Sequence, residues 1–444
     1  MNERIRKQYG SRRRNLMRQM GPDSIAILPG AREVIRSRDT HYPFRQDSNL
    51  HYLCGFPEPD AVLVLIPGRS QGEFILFVRD KDRAREIWDG FRAGPEGAMQ
   101  DYDADDAFPI GDIDDILPGL IEGRDKIFYS MGAHPDFDKS LLSWINHIRS
   151  QSRSGALPPG EIIDLEHMVH EMRVIKSAEE LKLMRKSAKI SADAHVRAMQ
   201  VCKPGMYEYQ LQAAIEHEFA DRGATGPAYS SIVGGGANAC VLHYIENRAP
   251  LNEGDLVLID AGSEYQGYAA DITRTFPVGG KFSKEQRALY DLCLEAQLAA
   301  IELCRPGRRF HEPHEATVEV ITRGLIKLGL LKGTLESNIE TGAYRDFYMH
   351  RAGHWLGLDV HDAGDYKVDG SNSEWREFEP GMVTTIEPGI YVHADNKKVP
   401  KAWRGIGIRI EDDVAIRKGE PEVLTHAVPK TASEIEQLMA GSAA

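Results

Sequence analysis

The sequence predicts an α+β protein of two domains, a smaller α/β domain followed by a larger one made of a duplicated α+β unit folded about a pseudo-two-fold axis. Three observations predict it. The stretch 150–160 is polar, rich in Pro and Gly and aperiodic, and it separates regions of different composition. Downstream, a helix-end pattern occurs twice: Ala198 to Gly205, with Cys202-Lys-Pro204-Gly205, is answered by Ala300 to Gly307, with Cys304-Arg-Pro306-Gly307. A strand pattern also occurs twice, in the same order. Gly254-Asp255 leads through an apolar run to Asp260-Ala-Gly262, and Gly381-Met382 leads through another to Glu387-Pro-Gly389. Two copies make a duplication, not a solenoid. At 444 residues the chain has room for two or three domains. The expected limits are 1–155 for the first, 156–172 for a linker and lead-in, and 173–444 for the second.

The elements follow in order. In Met1 to Met20, Ile5, Tyr9, Leu16 and Met20 interleave with basic residues, which predicts a helix carrying Arg12-Arg13-Arg14 on a solvated face. Ala61 to Ile66 and Glu73 to Val78 are apolar runs divided by Pro67-Gly68 and read as buried strands; Leu141 to Ile148 reads as helix. Ser177 and Glu180 form a capping box that opens a helix ending at Pro204-Gly205. Leu256 to Asp260, a turn within Gly262 to Gly267 and a return over Tyr268 to Phe276 predict a hairpin. Trp355 to His361 alternates as a strand does, and Met382 to Glu387 and Gly405 to Glu411 read as strands too.

Composition removes several classes of function. With 54 Lys+Arg against 67 Asp+Glu the net charge is -13, which argues against a nucleic-acid or anionic-membrane partner and favours a cation-binding cleft. No apolar run approaches the ~20 residues of a membrane span, and the first twenty residues lack the apolar core of a signal peptide. Five cysteines, odd in number and without a CxxC pair, read as buried thiols, so the expected location is the cytoplasm.

The chemistry gathers at the ends of the repeated strands. Asp260 and Asp271 belong to the first copy, Glu387 and Glu411 to the second, and the pseudo-two-fold axis brings the two pairs face to face. Each carboxylate raises the pKa of the others, and divalent cations supply the compensation. Four carboxylates and one imidazole, that of His354, make the ligand set of a two-metal hydrolytic site and suit Mn, Co or Zn better than Ca. Taken singly, each has a plainer reading: Asp260 a turn former, Asp271 an ion-pair partner of Arg274, Glu387 a solvated turn, Glu411-Asp412-Asp413 an exposed acidic run, His354 a core histidine. Their recurrence in related copies favours the site. Other patterns carry no function. His350 and His354 are four apart without a following Glu, His311-Glu312-Pro313-His314 has the wrong spacing, and Gly234-Gly235-Gly236 lacks a phosphate-loop ending.

Asp260-Ala-Gly262, Asp271-Ile-Thr-Arg-Thr-Phe276, His354-Trp-Leu-Gly-Leu-Asp-Val-His361-Asp362, Glu387-Pro-Gly389 and Gly407-Ile-Arg409-Ile-Glu411-Asp412 resemble the pita-bread metallopeptidases, in particular their Xaa-Pro aminopeptidase (aminopeptidase P) branch. Tyr42-Pro-Phe-Arg45 through Asp60 resembles that branch's N-terminal domain, so the likeness covers most of the chain. The resemblance implies a C-terminal pita-bread domain that removes the N-terminal residue from peptides with proline second. Two divalent ions, foremost Mn²⁺, would be held by Asp260, Asp271, His354, Glu387 and Glu411, with a hydroxide between them as nucleophile. Glu387 would move protons, His243 and His361 would contact the substrate backbone and the oxyanion, and His350, Tyr391 and Arg409 would line the substrate cleft. Arg153 and Trp88 match residues that reach a cleft, Trp88 that of a neighbouring subunit in a homodimer or homotetramer. A prolidase restricted to X-Pro dipeptides and a metal-free binding module or creatinase-like enzyme are the rivals. One departure stands out: Arg351-Ala352-Gly353 follows His350 where the family has small or apolar residues, setting a bulky cation near the mouth of the cleft.

Overall fold

The computed structural model describes residues 3–368 and 374–441. The chain divides into two compact units, Met1–Met172 and Arg173–Ala444.

The first unit is built on a six-stranded mixed sheet in the order Asp106–Pro109, Phe74–Val78, Val62–Leu65, Ser24–Pro29, Lys126–Phe128, Glu161–Ile163. Val62–Leu65 runs antiparallel to both neighbours and the other pairings are parallel. The two strands read from the sequence are buried along their whole length, as continuous apolar runs require when both faces are covered. Helices Ile113–Ile121 and Pro135–Ser150 contribute Leu117, Ile121, Leu141, Trp144, Ile145 and Ile148 to the core over this sheet, and each such side chain adds about 1.5–3 kcal/mol of transfer free energy. Within 156–172, Glu161–Ile163 pairs with Lys126–Phe128; three residues are too few for strand periodicity to show in a sequence.

The amino-terminal helix forms over Glu3–Met20, but two of the three arginines in its run are buried rather than solvated. Arg12 and Arg13 are only 8% and 7% exposed. Their guanidinium groups donate to the carbonyls of Tyr52 and Leu53, each at 2.9 Å, and lie 3.9 Å from the ring centroids of Tyr52 and Phe74. These two arginines tie the helix to Ser48–Cys54, whose last carbonyls lack helical partners. Periodicity could not distinguish them from Arg14, which is exposed.

The second unit repeats a helix pair. Ala178–Val201 packs on Glu208–Asp221, and Lys284–Ile301 packs on Glu312–Lys327. The first helix of each pair opens with a capping box, Ser177 with Glu180 and Ser283 with Gln286. Each copy also supplies antiparallel strands: Leu256–Asp260 between Ile232–Gly235 and Thr273–Pro277, and Asp412–Ala415 between Val383–Ile386 and Glu422–Val423. Gly389–Val392 pairs with Ile406–Arg409. In register, Asp260 faces Thr273 and Ile386 faces Asp412. Each strand pair therefore ends at two carboxylates, and the Glu411 N–H donates to the Thr273 carbonyl at 3.0 Å, joining one copy to the other.

Two expectations need correction. The return from Asp260 is not one hairpin strand: Tyr268–Ala269 pairs with Ser263–Tyr265 in a separate sheet, and only Thr273–Pro277 rejoins Leu256–Asp260. The Ala261 N–H bonds the Ile272 carbonyl at 3.0 Å and leaves Asp271 just outside the strand. Trp355 to His361 is not a strand beyond the single bridge of Trp355 with Thr384. Its backbone turns at Gly357, and buried Asp362 accepts from Arg173 at 2.5 Å and Lys176 at 2.9 Å, which pulls the segment away from a sheet. All five cysteines are buried and free, as expected.

Candidate metal centre

Strand ends deliver acidic side chains to one wall of a cavity of about 1130 Å³ in the second unit. Asp271, His354 and Glu411 present ligand atoms that all lie within 4.8 Å of one another. His354 Nε2 stands 3.4 Å from Asp271 Oδ2 and 3.5 Å from Glu387 Oε1. The Tyr229 hydroxyl bridges Asp260 Oδ1 at 2.6 Å and Asp271 Oδ1 at 2.5 Å, bringing the fifth residue into the cluster. The five side chains expected to bind metal are thus gathered at one place. Local geometry helps fix them. His354 Nδ1 lies 2.9 Å from the Trp355 carbonyl, so this nitrogen carries a proton and the ring is turned with Nε2 facing Asp271 and Glu387. Gly353 packs against the Thr385 carbonyl, where any Cβ would collide.

The electrostatics are those of a site short of positive charge. Burial, together with Asp260, raises the Asp271 pKa, and burial, with Asp271 and Glu387, raises that of Glu411 well above the usual carboxylate range. Burial pushes Glu387 up to about 7, against the pull of His354. Burial opposes a charge on His354, yet Asp271 and Glu387 outweigh it and lift the imidazole to about 9. Arg409 is the fixed cation, donating to Asp260 Oδ2 at 2.7 Å. One arginine and one imidazolium do not balance four clustered carboxylates, of which Asp271 and Glu411 are buried, and this donor set fits divalent ions. Just behind it, Arg274 pairs with Asp412 at 2.8 Å rather than with Asp271, while Asp413 accepts the Asp271 N–H at 3.2 Å.

His243, His350, His361 and Arg409 line the same cavity. His361 sits edge-on to His354 with ring centroids 4.4 Å apart. Tyr391 is buried behind the wall instead of lining it. It accepts from Arg409 Nη1 at 3.0 Å and donates to His350 Nε2 at 2.8 Å. His350 Nδ1 is 2.7 Å from the Arg351 carbonyl, and burial with the nearby Arg409 lowers its pKa to about 4, so the ring is neutral. Arg153 and Trp88 belong to the other unit, exposed on a turn at Ser152–Ser154 and on helix Arg83–Asp89. Sequence reasoning missed Tyr229, Thr273 and Asp413. Thr273 Oγ1 donates to Glu411 Oε2 at 2.6 Å. Tyr229 lies 31 positions before Asp260 in a loop with no motif to mark it.

The model of metallopeptidase family M24 matches residues 182–418, and that of the aminopeptidase P N-terminal domain matches 9–129. The chain is 46% identical to the Xaa-Pro aminopeptidase of Escherichia coli over 440 residues, 99% of each chain. Among solved structures, aminopeptidase PepP of Pseudomonas aeruginosa superposes with a TM-score of 0.97 at 59% identity, covering 99% of this chain and 98% of that one. Zinc-substituted E. coli aminopeptidase P in complex with product has a TM-score of 0.95 at 45% identity, with 98% of each chain covered.

Proposed function

Because the chain belongs to metallopeptidase family M24 and is an Xaa-Pro aminopeptidase with the family's pita-bread domain, we propose that Asp260, Asp271, His354, Glu387 and Glu411 hold two divalent ions, Mn²⁺ in the cell, for cleavage of the bond before a penultimate proline. The observation that carries this reading is the convergence of those five side chains on one cavity wall with too little positive charge of their own. When bound, such ions supply an ionised water at neutral pH, an anchor for the substrate's free amine and a pull on the scissile carbonyl.

The protein's own groups do the rest. Glu387 takes a proton on the side of attack and returns it to the departing nitrogen, which leaves proline as a secondary amine. Its reach toward the cleft is supported by the 4.0 Å separation of its Oε2 from His350 Nδ1. His361 and His243 donate to the substrate backbone and the developing oxyanion. His350, neutral and with both nitrogens engaged, offers the proline ring an apolar wall. Arg409 acts through Asp260 and Tyr391, holding a ligand and the His350 ring in place, rather than as a contact for the peptide.

We also propose a homodimer or homotetramer in the cytoplasm. Exposed Ile87, Trp88 and Phe91 support the assembly, and light scattering tests it; the five buried free thiols support the location. Among the described residues, no helix is long and apolar enough to cross a membrane. The decisive experiment is a peptide panel with and without Mn²⁺. X-Pro-Y should be cut between X and Pro, X-Ala-Y and N-acetylated X-Pro-Y should resist, and X-Pro dipeptides should be slower. Cleavage of dipeptides alone would make the chain a prolidase.

A further inference from the structure

The loop that brings His243 to the cavity is held from behind by a buried carboxylate that no step of the reaction uses. Glu208 is the first residue of the helix Glu208–Asp221 and is wholly buried. Its Oε1 accepts from the Gly235 N–H at 2.8 Å and from Asn238 Nδ2 at 3.0 Å. Its Oε2 accepts from the Ala249 N–H at 2.8 Å and from the Tyr244 hydroxyl at 2.9 Å. The Glu208 N–H in turn donates to the Ala249 carbonyl at 3.0 Å. One side chain thus fastens the start of the loop, its end and its middle.

The four donors are neutral, and among the described residues no cation pairs with Glu208. A carboxylate taken out of water is tolerated when donors occupy both of its oxygens, and an amide in its place would set an NH₂ group against two of these donors. The pocket is therefore built for a carboxylate. Burial, with the bond to Glu208, pushes Tyr244 up to about 12, so the phenol keeps the proton it donates. Leu242, His243 and Ile245 line the cavity, while Tyr244 between them turns back to Glu208. On the other flank the Leu242 carbonyl accepts from Arg409 Nη2 at 3.4 Å, a long bond. The His243 side chain is exposed, and among the described residues none bonds its ring, so the aim of the imidazole depends on where the loop backbone is held.

We infer that Glu208 is a positioning residue for His243: through Tyr244 and the two ends of the loop it fixes the backbone that aims the imidazole at the scissile bond. This rests on the role proposed above for His243. A donor to charge that develops in the transition state works only from within hydrogen-bond distance, and a misplacement of about 1 Å costs much of its effect.

The test is a double-mutant cycle, read as cleavage of Ala-Pro-Ala by the Mn²⁺-loaded protein. Tyr244→Phe keeps the ring and removes one of the four bonds to Glu208. It should lower kcat about tenfold while KM stays within about twofold. Glu208→Gln should lower kcat further. In a His243→Ala background neither substitution should cost more than about twofold, because the group they position is gone. Partial unfolding would lower kcat equally in both backgrounds, so the cycle separates positioning from a merely structural role. Equal losses in the two backgrounds, or unchanged kcat in both Tyr244→Phe and Glu208→Gln, would overturn the inference. Full turnover in His243→Ala would instead overturn the reading of His243, and the inference with it.

Discussion

The Tyr229 hydroxyl has one proton and two carboxylates within 2.6 Å. It can donate to only one at a time, so the second short contact needs another proton or a cation drawing charge from the pair. If Asp260 and Asp271 bind metal as proposed, Tyr229 supports both, and its replacement by Phe should weaken binding of Mn²⁺ by about tenfold. Calorimetric titration of metal-free protein reads this directly, and an unchanged affinity would remove Tyr229 from the site's design. A second residue-scale effect concerns His195, wholly buried, its Nε2 2.9 Å from the Ala261 carbonyl. Burial lowers its pKa to about 4 from an ordinary 6.5. The unfolded chain then takes up a proton near pH 6.5 that the folded chain refuses until about pH 4, so stability falls as the pH drops through this window. His195→Gln should lose about 2 kcal/mol less than the unmodified protein between pH 7 and pH 5, measured by urea denaturation at both. Asp260, Asp271, Glu387 and Glu411 were legible in the sequence because the repeated strand patterns end in or beside them, and His354 because of the motif around it. Tyr229 and Thr273 were not, since their importance lies in contacts across the fold that leave no local pattern.

Among the elements, the segment from Trp355 to Asp362 shows why periodicity misleads beside a functional site. Alternating side chains suggested a strand, yet the backbone turns because Asp362 is locked between Arg173 and Lys176, with all three side chains no more than 3% exposed. The lock holds the backbone next to His361. Removing the carboxylate with Asp362→Ala leaves Lys176, among the described residues, with only the Val174 carbonyl, and it should cost about 3–5 kcal/mol, read as a fall in the urea midpoint. A change within 1 kcal/mol would mean that the turn is held by something else. The capping boxes at Ser177 and Ser283 lay within reach of sequence, because a cap spans three residues. The burial of Arg12 and Arg13 depends on carbonyls some 40 positions away and did not.

For the whole molecule, the four clustered carboxylates link metal to stability. Ions that bind only the folded chain stabilise it by about 3–4 kcal/mol per site at 100 to 1,000 times Kd. Chelation should therefore lower the melting temperature of the protein, and added Mn²⁺ should restore it in scanning calorimetry. A melting temperature indifferent to chelator would mean that the cluster binds no ion tightly. The two-domain α+β plan was legible in the sequence from the duplicated patterns, whereas the six-strand order of the first sheet was not, because pairing between distant strands has no local signature. The five sealed thiols give the molecule a built-in set of reporters. Burial pushes Cys54, Cys202, Cys240 and Cys293 up to about 12, and Cys304 further, so none forms the reactive thiolate while its surroundings stay closed. Alkylation then dates the opening of each neighbourhood: Cys54 speaks for the first unit and the other four for the second. Cys293, whose Sγ donates to the Pro388 carbonyl at 3.2 Å, records the moment the backbone behind Glu387 comes loose.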